Sequence, residues 1–285
     1  MAALTFRSCA LALTALLGLA ATGAVVGVSA SSPSPVSARP QKIVSLNLCA
    51  DQYLLALADR DQIAGLTHNA GNPEMSAAAD KARGLRILGE SAEEVIAIRP
   101  DLVIGSASRR AGLMAAIAPH DYPTLRLRSA EKYDDIVAQI REVAAAVGHP
   151  RRGEALIAAM NRELATLPKA KPGTVAAYYQ RRGFLTGTGT LVDDLMTRAG
   201  LINLAARMQR PAVSQLSIEE LVAARPDYLI VESATTRVSD QGTEMLHHPA
   251  LARVPRISLP QAWTVCGGPA YVRAAQSLAH QLNAR

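Results

Sequence analysis

The chain has 285 residues, 49% of them hydrophobic and 19% charged, with a formal net charge of +6. Ordinary glycine and proline contents beside that apolar fraction exclude a disordered or collagen-like chain, and the length suits two domains, each able to bury a core. The charge is interspersed and no run of Lys or Arg exceeds two residues, so the basic stripe of a nucleic-acid binder is missing.

Residues 1–38 carry a single charge, Arg7, ahead of the apolar run CALALTALLGLAATGAVVGV. A positive start, an apolar stretch and the small-residue exits VSA at 28–30 and 36–38 read as a secretory signal peptide, cleaved after Ala30 or Ala38. An uncleaved anchor is the alternative, because the run approaches the roughly 20 residues that span a bilayer. Cys9 precedes the apolar stretch and so cannot be a lipid-bearing cysteine. Export leaves Cys49 and Cys266, an even pair. In an oxidising compartment such a pair forms a disulfide or persists as two buried thiols.

After this leader, short apolar runs at 42–47, 62–66, 86–89, 102–106 and 124–127 read as strands, with helical stretches between most of them. Residues 131–167 are almost wholly helix-forming, broken at Gly148–Pro150 and ended by PKAKPG at 168–173. Strand patterns return at 174–180, 228–233 and 256–260. Continuous apolar strands alternating with helices predict parallel sheets in βαβ units. The chain therefore divides into a first α/β lobe at 39–130, a bridging helical segment at 131–171 and a second α/β lobe at 172–285.

One stretch occurs twice. SAEEVIAIRPDLVIGS begins at Ser91, SIEELVAARPDYLIVE begins at Ser217, and eight of the sixteen aligned residues are identical. Ser91 and Ser217 read as N-caps with Glu94 and Glu220 as capping-box partners. Pro100 and Pro226 disfavour continuing the helix, and a buried strand follows. Each copy is a helix feeding a strand at equivalent places in two halves.

Catalytic signatures are absent: there is no G-x-S-x-G, H-E-x-x-H or P-loop. GTGTLV at 187–192 starts like a dinucleotide fingerprint but has Val192 where the third glycine belongs, and a strand-to-helix turn capped by Thr190 explains it. The histidines lack metal-ligand spacing, and His247 and His248, being adjacent, read as turn residues. An exported two-lobed α/β chain without catalytic machinery predicts a binder working in a cleft between lobes. No catalytic residue, bound metal or cofactor is expected.

KIVSLNLCADQYLLALA, the two repeat copies, GTGTLVDDLMTRAGLINLA and PAYVRAAQSLAHQL, in this order over residues 41–284, resemble the helical-backbone class of periplasmic solute-binding proteins. These serve ABC importers of ferric siderophores, haem and vitamin B12. The resemblance implies two Rossmann-like lobes bridged by a long helix, a monomer, and ligand held shallowly between the lobes. It also implies that an acidic residue on each lobe docks on the permease in the inner membrane; by position these are Glu93 and Glu219. Those two lie at the second helical position, whereas Glu94 and Glu220 are occupied as capping partners. An acidic residue in a first helical turn also simply favours the helix dipole.

The resemblance places the ligand against loops that follow strands, and these offer His68, Asn69, Ser106, Arg109, Arg110, Arg181, Arg182, Glu232 and Trp263. Arginine forks suit carboxylate, phosphate or catecholate oxygens, and the sole tryptophan could stack on an apolar ligand face. Aromatic residues are scarce, at 4%, and Val213 stands where vitamin B12 binders of the class carry Trp. An anionic ferric chelate is therefore favoured over a corrinoid, with haem third for want of an assigned axial ligand. Two other classes stay open: an exported enzyme on the same doubled fold, and a membrane-anchored interaction protein.

Overall fold

A computed structural model describes residues 39–89, 91–106 and 111–284; the expected signal peptide, Arg109 and Arg110 lie outside them. In chain order the first lobe contains β1 (Ile43–Ser45), α1 (Leu48–Leu57), β2 (Ile63–Gly65), α2 (Ala92–Ile98), β3 (Leu102–Ser106), α3 (Ala111–Ile117) and β4 (Thr124–Leu127). Two helices follow, α4 (Tyr133–Ala146) and α5 (Pro150–Ala165). The second lobe begins with β5 (Val175–Tyr178), β6 (Phe184–Thr186), α6 (Leu191–Arg198), β7 (Ile202–Asn203), α7 (Leu204–Arg207) and β8 (Val213–Gln215). It continues through α8 (Ile218–Ala224), β9 (Tyr228–Glu232), α9 (Gln241–Glu244), β10 (Arg256–Leu259), α10 (Gln261–Thr264) and α11 (Tyr271–Asn283).

Each lobe is built on a parallel four-stranded sheet, ordered β2-β1-β3-β4 in the first and β10-β9-β5-β7 in the second. The apolar runs alternate faces with the two-residue strand period. Ile43 and Ile104 point into the large central core, while Val44 and Val103 point into a smaller cluster with Val95 and Ile117. The second sheet repeats this: Tyr178, Ile230 and Ile257 face the central core, and Ala177, Leu229 and Val231 face a cluster with Leu204 and Leu221. The stretch at 86–89 contributes an isolated parallel bridge, Leu66 with Ile87. Among the described residues, β6 and β8 form a separate antiparallel ribbon.

The duplicated stretch becomes nearly the same device in both lobes, but the expected capping box closes only at Ser217, where Glu220 accepts from the cap amide at 3.1 Å. The Glu94 carboxylate lies against Gly89 instead, its Oε2 buried without a partner among the described residues. The Ser91 hydroxyl accepts from the Glu94 amide at 3.3 Å, and that of Ser217 accepts from the Glu220 amide at 3.2 Å. Arg99 (φ 51°) and Arg225 (φ 47°) then take the left-handed conformation that ends a helix. Two residues on, Asp101 accepts from the amides of Gln41 at 2.7 Å and Lys42 at 2.8 Å, just before β1. Asp227 accepts from the amide of Val175, the first residue of β5, at 2.7 Å. Each copy caps a helix, reverses the chain and pins the start of the neighbouring strand.

The bridge is a helical hairpin, because the chain doubles back at Val147–His149. Gly148 supplies the positive φ of 80°, and Gly153 lets α5 settle on α4, where a Cβ would lie 2.6 Å from that of Ala144. Tyr133 donates to Asn161 Oδ1 at 2.8 Å across the pair, and Arg141 bonds Glu154 at 2.7 Å. At the turn, the largely buried His149 puts Nε2 3.0 Å from Asp59 Oδ2 and 2.9 Å from Gln62 Oε1. Gln62 Nε2 donates in turn to the Pro40 and Val147 carbonyls. Ile136 and Ile140 of α4 and Met160 of α5 join the cores of both sheets into one apolar cluster.

Candidate functional site

Parallel strands deliver their carboxyl ends to one edge of a sheet, where the following loops can converge on a ligand. Here the loops after β1, β2, β3 and β4 meet the segment after α10 around a cleft of about 390 Å³. The first lobe lines it with Asn47, Thr67, His68, Asn69, Ser106 and Arg128. Thr264, Val265 and Cys266 of the second lobe face them, with Leu191 at the start of α6 and Gln139 of α4. Hydroxyls, amides, one imidazole and one guanidinium make a hydrogen-bonding cleft.

The walls are held from behind. Buried Asp51 accepts from the Thr67 amide at 3.1 Å and its hydroxyl at 2.5 Å, which fixes the loop carrying His68 and Asn69. Cys49 and Cys266 form a disulfide across the lobes, with Cα atoms 5.3 Å apart and a sequence separation of 217. Tyr53 donates to the Gly267 carbonyl at 2.6 Å, and burial pushes its phenol well above the usual range. Gly267 sits so close to Ala130 that a Cβ there would lie 2.3 Å from the alanine's own. Asp194 of α6 accepts from the Tyr133 amide at 3.3 Å and from the Tyr271 hydroxyl. Arg198 donates to the Tyr271 oxygen at 3.1 Å and lies 4.9 Å from the Tyr133 ring centroid. Burial, and then the Asp194 carboxylate, raise the Tyr271 phenol pKa. The disulfide, the Tyr53–Gly267 bond and the Gly267–Ala130 approach cross the seam between the lobes, and Tyr133 fastens the hairpin to α6.

Of the residues singled out in sequence, the structure brings His68, Asn69 and Ser106 together in the cleft. Arg181 pairs with Asp240, and Arg182 (φ 58°) lines a separate opening with Asp240, Gln241 and Met245. Glu232, at the end of β9, accepts from Gln180 Nε2 at 3.1 Å. Trp263 is half-buried against Leu191, Leu195 and Tyr271 behind the cleft, and its flank lines a shallow groove with Pro73 and Ile87. Glu93 and Glu219 are exposed in the first turns of α2 and α8. The Glu93 carboxyl is held below its ordinary pKa, first by its own backbone amide and then by Ser91. Glu220 is occupied by Arg210, 2.6 Å away, and by the Ser217 amide. Among the described residues no group of three or more His, Cys, Asp or Glu could hold a metal ion.

Arg128, Ser129, Gln139 and Leu191 line the cleft without having been singled out. Arg128 follows β4 as His68 follows β2, so the strand-end rule applied to every strand finds it. Gln139 sits on a helix face, where periodicity alone does not separate a cleft-lining amide from a solvated one. The exposed Arg128 side chain has no polar partner among the described residues.

Residues 43–257 match the family model described as periplasmic binding protein. The vitamin B12-binding protein of Pectobacterium carotovorum is 24% identical over 258 residues, 87% of this chain and 90% of that protein. A cobalamin-binding protein of Halobacterium salinarum is 22% identical over 224 residues, 76% of this chain; the match spans only 61% of that relative's length. Among solved structures, the periplasmic haem-binding protein RhuT from Roseiflexus sp. RS-1, in apo form, superposes with a TM-score of 0.67 at 28% identity, covering 85% of this chain and 97% of that one. With a family match running through both sheets, the chain belongs to the periplasmic binding protein family.

Proposed function

We propose that this protein captures an anionic ferric chelate of the siderophore type and delivers it to the permease of an ABC importer. The observation that carries this reading is the cleft itself: hydroxyl and amide groups beside His68 and the guanidinium of Arg128, which has no polar partner among the described residues, and no Phe, Tyr or Trp in the lining. Oxygen-rich, negatively charged chelates match such a lining, because Arg binds carboxylate or catecholate oxygens in a planar fork. Glu93 and Glu219, exposed at equivalent places on the two lobes, are the proposed contacts to basic pockets of the permease. The protein acts as an exported monomer, after removal of its leader, and catalyses no reaction.

A corrinoid is the second reading, favoured by the relatives named as cobalamin- and vitamin B12-binding proteins. Titration of the purified protein with a ferric trihydroxamate, a ferric tricatecholate, cyanocobalamin and haemin, followed by Trp263 fluorescence, separates these. Saturable quenching by a ferric chelate is the expected result; quenching by cyanocobalamin or haemin alone overturns the siderophore reading. The double variant Glu93→Arg with Glu219→Arg should bind ligand as before and fail to support uptake; loss of ligand binding would remove the docking role.

A further inference from the structure

Both residues of the inter-lobe disulfide line the cleft, but they differ in access. Cys266 is only 3% exposed, whereas Cys49, in the first turn of α1, is half-buried. The backbone around Cys49 is fixed by the helix and by Asn47, whose side chain accepts from the Ala50 amide at 2.7 Å. Cys266 lies in the irregular segment between α10 and α11. Among the described residues the amides of Cys266, Gly267 and Gly268 have no acceptor. A segment with so few backbone bonds is of the kind that opens locally. Besides the disulfide, the Tyr53 bond to the Gly267 carbonyl and the approach of Gly267 to Ala130 hold it to the first lobe. The two sheets have a separate tie, the apolar cluster through Ile136, Ile140 and Met160. Opening the bond therefore acts on the cleft wall and leaves the lobes joined.

We propose that this disulfide is a redox-sensitive switch of the cleft wall, entered at Cys49 by small thiols. Thiol exchange depends on access to the sulfur attacked, and the cleft gives that access at Cys49. One thiolate of a small dithiol attacks Cys49 Sγ, and the bond to Cys266 breaks. Its electron pair leaves on Cys266 Sγ, which takes a proton. The reagent's second thiolate then attacks the reagent sulfur held by Cys49, closes the reagent into a cyclic disulfide and releases the Cys49 thiol. The dithiol loses two electrons and the cystine gains them. Once reduced, residues 265–268 lose their covalent tie to α1, so ligand binding has to order them. Ordering even one residue weakens affinity about tenfold.

Two measurements on the purified protein need no ligand. Glutathione under native conditions, followed by acid quench and peptide mass spectrometry, should leave its mixed disulfide on Cys49 and not on Cys266. After reduction with dithiothreitol, the amides of Val265 and Tyr271, bonded to Gln261 at 2.9 Å and to Gly268 at 3.0 Å, should exchange hydrogen at least about tenfold faster. Those of β3 and β9 should keep their protection, and reoxidation should reverse the change. A third measurement rests on the carrier reading proposed above: the reduced protein should bind a ferric trihydroxamate or tricatecholate at least about tenfold more weakly than the oxidised one. A bond that survives dithiothreitol in the folded protein, an adduct on Cys266, unchanged exchange at Val265 and Tyr271, or global unfolding on reduction overturns the switch. So does equal affinity in the two forms. If neither form binds a ferric chelate, the carrier reading falls, and the thiol and exchange measurements still decide the switch.

Discussion

Asp101 and Asp227 occupy one position of the duplicated stretch, and their carboxylates take the amides at the start of β1 and β5. Replacing either with Asn keeps the shape but removes the charge that strengthens those bonds. Each change should lower stability by about 1 kcal/mol, the difference between charged and neutral hydrogen bonds, read as a lower urea midpoint with unchanged slope. Arg128 is the opposite kind of residue, a charge with no polar partner among the described residues. Arg128→Ala should barely alter the urea midpoint and should weaken an anionic chelate at least about tenfold in the Trp263 titration. Equal affinity in that variant would remove Arg128 from the ligand's reach.

At the scale of elements, the α4–α5 hairpin is closed by one imidazole. Both neighbours of His149 Nε2 are acceptors, so the neutral ring holds its proton there. Burial lowers its pKa from the ordinary 6.5, Arg152 adds to this, and Asp59 opposes it. The unfolded chain then takes up the proton before the folded one does. This contribution to stability is complete above about pH 6.5 and is lost as pH falls below it. Asp59, held below its ordinary 3.8 chiefly by its hydrogen bond from Arg152, contributes above that value and loses its share only in stronger acid. Melting temperature recorded from about pH 7 to pH 5 should fall, and His149→Gln should flatten that decline; an unchanged decline would place the titration elsewhere.

The hairpin also shows where sequence reading stops. Helix-forming residues on both sides of Gly148–Pro150 revealed two helical stretches, but their antiparallel packing depends on Gly153 meeting Ala144, a contact that periodicity does not encode. The strands at 102–106 and 228–232 were legible because a short apolar run after a capped helix and a proline leaves little else to form. The ribbon of β6 and β8 was not, since three-residue strands such as Phe184–Thr186 carry no period. The same division holds in the cleft. His68 and Asn69 follow β2, Ser106 closes β3, and attention to strand ends brings all three out. Arg181 follows one too, but its pairing with Asp240 is set by a tertiary contact 59 positions away.

For the whole molecule, the disulfide between Cys49 and Cys266 closes almost the entire described chain into a loop. On chain entropy alone that is worth about 4–5 kcal/mol. The Cys49→Ser with Cys266→Ser protein should therefore show a markedly lower urea midpoint than wild type, and an unchanged midpoint would show that the seam holds without the bond. Gly267→Ala tests the seam from the other side. Its Cβ must displace Ala130, which shifts the loop carrying Arg128, so ligand affinity should drop while the disulfide stays formed.

One apolar cluster runs from Ile43 through Ile140 and Met160 to Ile257, so neither lobe owns a complete interior. Moving the lobes apart would expose apolar surface that both share, so the build resists opening and closing about the hairpin. On the proposed function, a permease would then read the ligand's own surface at the mouth: the empty and the loaded carrier would differ as an open hand differs from the same hand holding a coin.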